Sequence, residues 1–83
     1  MTPSTRTQVN MILNAILDTL AEGTPIPASY PGLAAEQSGI PPEVGRTALT
    51  LAVECGICNR SNDLLTPGPR FADILAAKRA ATT

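Results

Sequence analysis

Val9, Ile12, Leu13, Ile16, Leu17 and Leu20 recur at intervals of three and four residues, with Gln8, Asn10, Asn14, Asp18 and Glu22 between them. At 3.6 residues per turn this spacing gathers the aliphatics into one stripe, so residues 5–22 are expected to form an amphipathic helix. Ser4 or Thr5 is placed to cap it, because a side-chain oxygen there accepts an orphan backbone N–H. Gly23 is placed to end it, since glycine tolerates the left-handed conformation of a helix stop. The stripe is expected to cover a core, or to extend beyond it into a dimer seam.

The pattern then breaks. Pro25, Pro27 and Pro31 exclude a helix over residues 24–31, because proline removes a donor and locks φ. Pro25-Ile26-Pro27 reads as a short extended segment anchored by Ile26. A short helix follows over residues 31–37, around Leu33, Ala34 and Ala35, and Gly39 breaks it. Pro41 and Pro42 suit the first turn of a helix over residues 42–55. Val44, Ala48, Leu51, Ala52 and Cys55 are expected on its inward side, with Leu49 and Val53 beside them, and Gly56 stops it. Residues 57–60 and 63–66 read as two short strands joined by a turn at Ser61-Asn62. Pro67-Gly68-Pro69 closes the second strand. A last helix over residues 69–80 carries Phe71, Ile74, Leu75 and Ala77 on its apolar face, with Lys78 and Arg79 complementing the dipole at its C-terminal end. The fold class expected is mostly α with a small β-hairpin, in a single domain over residues 1–83.

Composition narrows the chemistry. Of 83 residues, only Tyr30 and Phe71 are aromatic and none is His or Trp, so the core is aliphatic. Without histidine no Ser-His-Asp or Cys-His pair forms, and no clustered carboxylates supply a general base, so the chain is not expected to be an enzyme. The glycines are scattered rather than gathered into a phosphate loop. No cofactor and no metal site is expected. Cys55-Gly56-Ile57-Cys58 is a C-x-x-C, but it falls at a helix end, where the dipole does not activate a thiol. Its cysteines are read as structural, with redox activity or a metal shared across a dimer as the alternative. The N-terminus shows no secretory pattern, and the uncharged residues 7–17 are too few to span a bilayer. No membrane association is expected, and the location expected is the cytoplasm of a bacterium or of a phage-infected cell.

Residues 33–56 resemble winged helix-turn-helix domains of bacterial or phage regulators. The likeness is carried by Leu33-Ala34, Ser38-Gly39-Ile40, Pro42-Glu43-Val44, Leu49, Val53 and Gly56. Downstream, ICNRSNDLLTPGPRFADIL resembles the wing and following helix of such regulators through Leu65, Gly68, Pro69 and Arg70. The likeness covers residues 26–75. It implies a three-helix core with a wing and a C-terminal helix. It also implies a second motif helix that enters the major groove and a wing that touches the neighbouring backbone. By position it implies Glu43, Arg46, Thr47 and Thr50, with Glu54 at their margin, as groove-facing residues, and Arg60, Ser61 and Asn62 as the wing tip. Arg46 would fork onto guanine, Thr47 would touch a phosphate or a thymine methyl, and Arg60 would contact a phosphate.

Charge bears on which partner such a domain takes. The net charge is −1. Residues 1–55 hold two basic and five acidic side chains, net −3, and residues 56–83 hold four and two, net +2. Two readings result. The first is a small transcriptional regulator that binds double-stranded DNA, as a homodimer. The second is a protein-interaction module, such as a phage-encoded inhibitor or an adaptor that binds a host or bacterial protein.

Overall fold

The computed structural model describes residues 5–82. In chain order these form α1 (Thr5–Ala21), β1 (Ile26–Pro27), α2 (Tyr30–Gln37), α3 (Pro42–Glu54), β2 (Cys58–Ser61), β3 (Leu64–Pro67) and α4 (Phe71–Thr82). The protein is mostly helical, with one small three-stranded antiparallel sheet. The cap expected at Ser4 lies outside the described residues. Val9, Ile12, Ile16, Leu17 and Leu20 of α1 are buried in the core, and Leu13, half-buried, packs against it. Tyr30 sits at the core edge, its hydroxyl 3.0 Å from Thr19 Oγ1, which ties the start of α2 to α1.

α2 and α3 pack closely because the facing residues are small. Ala35, Ala48 and Ala52 are fully buried, and Gly45 lies against the backbone of Pro31 and Gly32. The turn between the helices places Gly39 at φ 74°, and the Ile40 N–H donates to the Ala35 carbonyl at 2.8 Å. Ile40 is thereby buried directly before α3 begins. Within α3 the inward side is Val44, Gly45, Ala48, Leu49 and Ala52. Leu51 and Cys55, expected on that side, are exposed instead, and so is Val53. Packing through alanine and glycine brings the neighbouring backbones so close that the buried strip is narrow, and side chains at its rim stay outside.

The sheet order is β1-β3-β2. Leu65, at its centre, pairs with Ile26 on one side and Arg60 on the other. Opposed residues of antiparallel strands share a face, so Ile26, Leu65 and Arg60 all lie on the side turned to the helices. The hairpin turn is Asn62-Asp63 rather than Ser61-Asn62: Ser61 pairs with Leu64, and Asn62 takes φ 56°, which asparagine tolerates. α4 begins at Phe71, two residues after the expected Pro69. Residues 68–70 are held in a turn, with the Gly68 N–H donating to the Ile57 carbonyl and the Arg70 N–H to the Gly56 carbonyl. Arg70 packs its stem over Gly56. Lys78 Nζ donates to Asp18 Oδ1 at 2.7 Å, joining α4 to α1. Among the described residues no helix is long and apolar enough to cross a membrane.

Candidate functional site

The side of α3 turned away from the core carries Glu43, Arg46, Thr47, Thr50, Val53 and Glu54, all exposed. Thr47 Oγ1 donates to the Glu43 carbonyl at 3.0 Å, and Thr50 Oγ1 donates to the Arg46 carbonyl at 3.1 Å. Arg46 stands 3.9 Å from Glu43, both side chains being 72% exposed. Such a long, solvated pair contributes about 0–1 kcal/mol and holds neither side chain in place.

Arg60 reaches α3 from the hairpin. In β2 it lies two residues beyond the buried Cys58, hence on the same face, but past the edge of the core. Its side chain forms one wall of a trough of about 450 Å³ whose other lining is Arg46, Leu49, Thr50, Val53 and Glu54. A larger hollow of about 830 Å³ adjoins it, lined by Leu33, Glu36, Pro42 and Asp63 among others. Arg46, Leu49 and Arg60 line both, so the two guanidinium-bearing side chains flank a single buried leucine.

Of the site residues read from the sequence, Arg46, Thr50, Glu54 and Arg60 are thus brought together. Glu43 and Thr47 lie on the outer face of α3 but line neither hollow. Ser61 ends β2 and Asn62 opens the turn, and they too stand outside both. Sequence reasoning missed Val53, Leu33, Glu36 and Asp63. Val53 was legible, because positions 46, 50 and 53 are spaced i, i+4, i+7 and share a face. The other three come from distant parts of the chain, and no local signal connects them to α3. The front is chemically mixed: Arg46 and Arg60 stand among Glu36, Glu43, Glu54 and Asp63, with Leu33 51% and Val53 40% exposed.

The C-x-x-C is split between two environments. Cys55 is exposed, while Cys58 is fully buried in β2, and the two thiols are free. Burial pushes the Cys58 thiol up from its ordinary value, because the thiolate would lose its solvation. The native protein is expected to consume one equivalent of a disulfide thiol reagent quickly and a second only on unfolding. Rapid uptake of two equivalents in native buffer would overturn this. The folded thiol ionises at higher pH than the unfolded one. Its linkage contribution is therefore fully present below the ordinary thiol range and is lost as pH rises from there through the raised folded value. Among the described residues no cluster of three His, Cys, Asp or Glu is disposed to hold a metal ion.

Comparisons with protein-family models, with curated proteins and with solved structures returned no match to this chain.

Proposed function

We propose that the chain is a winged-helix DNA-binding regulator, with α3 as the helix that enters the major groove and the β2–β3 hairpin as the wing. The observation that carries this reading is that Arg46 of α3 and Arg60 of the hairpin, separate in sequence, line one trough. The order of elements is consistent with it: helix, strand, two closely packed helices, hairpin, helix. A 13-residue helix is about 20 Å long at 1.5 Å per residue, and it fits a major groove about 12 Å wide. Arg46 would present a planar fork to guanine, and Arg60 a charge to a flanking phosphate. The reading places the protein in the cytoplasm, gives it no catalytic step, and makes it a homodimer on a short palindrome, since one chain offers few cationic contacts.

Salt dependence tests it. Affinity for duplex DNA falls with salt in proportion to the phosphates neutralised. One phosphate contact per chain, from Arg60, predicts a log–log slope of about −1, and about −2 for a two-fold dimer. The measurement is a fluorescence-anisotropy titration of duplexes selected from a random library at low salt. No binding to any duplex under those conditions would sink the proposal.

A second reading, a protein-interaction module, is favoured by one feature of the same front. Four carboxylates surround two arginines there, and Leu33 and Val53 are exposed. It predicts a partner protein retained at moderate salt, no DNA shift, and loss of the partner on Leu33→Asp.

A further inference from the structure

Thr47 and Thr50 lie about one and a half turns and just over two turns into α3, on the side facing out. Each hydroxyl donates its hydrogen to the carbonyl four residues back. Neither is then a donor toward an incoming phosphate oxygen, which only accepts. With the hydroxyl turned back to the helix, the γ-methyl is the group each threonine presents outward. Val53, 40% exposed and one turn beyond Thr50, adds two more methyl groups. Arg46, Thr50 and Val53 line the same trough, whose floor is Leu49. The surface that runs along α3 from Arg46 is thus a cationic fork followed by a strip of methyl groups. Glu54, beside that strip, repels phosphates and favours approach to base edges over approach to the backbone.

Among duplex partners, one base pair alone meets such a strip with a methyl group of its own. Thymine carries a 5-methyl group in the major groove, where Thr and other apolar side chains contact it, and guanine offers the paired acceptors that suit an arginine fork. Val53 lies about 10 Å along the helix from Arg46, at 1.5 Å rise per residue. We propose that the half-site contacted by α3 is a guanine followed by thymines two to three base-pair steps away, with Thr50 and Val53 as the residues that select for the thymine methyl groups. This rests on the DNA-binding reading and adds the sequence class that reading leaves open.

The test is replacement of thymine by deoxyuridine, which removes the methyl group and nothing else. Duplexes are selected with the full chain from a random library, and the preferred one is resynthesised with each thymine replaced in turn. Loss of one buried methyl contact weakens binding about fourfold. That loss is expected at one or two thymines on the guanine side described. Val53→Ala and Thr50→Ser should each abolish the thymine-over-uracil preference at one of those positions. Both changes are on the surface, and circular dichroism verifies that the variants fold. Equal binding of thymine and uracil duplexes at every position would overturn the proposal while leaving DNA binding intact. So would a uracil penalty that persists unchanged in both variants. Failure to bind any duplex would overturn the functional reading as well, so the two failures are told apart.

Discussion

Gly45→Ala is expected to destabilise the fold severely, although it exchanges one small residue for another that favours helix. A Cβ at residue 45 would collide with the Pro31 carbonyl oxygen and stand 2.7 Å from the Pro31 carbonyl carbon and 2.8 Å from Gly32 Cα. All three are backbone atoms, so no side-chain rotation relieves the clash, and α2 must move as a body. Overpacking in a tight core costs about 1–3 kcal/mol, and the upper end or beyond applies where backbone meets backbone. Helix propensity returns roughly 1 kcal/mol of that at most. Gly32→Ala is the matched control, since a Cβ there meets nothing within 4 Å and the residue lies inside α2. Denaturant titration of both variants is the measurement. A Gly45→Ala protein as stable as the parent would refute the close α2–α3 contact. The consequence reaches the site, because the contact sets how far α3, and Arg46 with it, stands from α2.

Combined replacement of Arg46 and Arg60 by Ala is expected to abolish DNA binding at moderate salt, with the single variants failing in different ways. A bidentate arginine–guanine contact is worth about 1–3 kcal/mol, or roughly fivefold to 150-fold in affinity. Arg46→Ala should therefore weaken the selected duplex by that factor and relax the preference at one base pair. Arg60→Ala should weaken all duplexes alike and reduce the salt slope by about one per chain. Arg46 is exposed and held only by a long contact to Glu43, and Arg60 is exposed on an edge strand, so stability should change little. Unchanged DNA affinity in the double variant would exclude the trough as the interface.

Much of the local architecture was legible along the chain, and it was legible for local reasons. The α1 stripe repeats with the period of a helix. Gly23, Gly39 and Gly56 all take φ values between 74° and 82°, where the chain reverses and a side chain would be strained. Ile26 between two prolines had to be extended and, being apolar, had to be covered. Boundaries were harder. Pro69 suits a first helical turn, yet hydrogen bonds from residues 68 and 70 to the backbone of Ile57 and Gly56 hold it in the turn before α4. Asn62 rather than Ser61 opens the hairpin turn because the strand register, set by Leu65 in the core, places the reversal there.

The sequence by itself therefore determined the order of helices and strands, the helix stops, and the candidate arginines. Periodicity and backbone sterics act over a few residues and can be read from them. Three things only the tertiary structure decided. β1 pairs with β3 although residues 28–63 lie between them in the chain, which turns a hairpin into a three-stranded sheet. Leu51 and Cys55 stay outside, because the width of the buried strip on α3 depends on how closely alanine and glycine let α2 and α1 approach. Arg46 and Arg60 line the same hollows as Leu49, because the strand register turns Arg60 toward the helices. Each depends on distances between elements, and a pattern confined to one element carries no information about them.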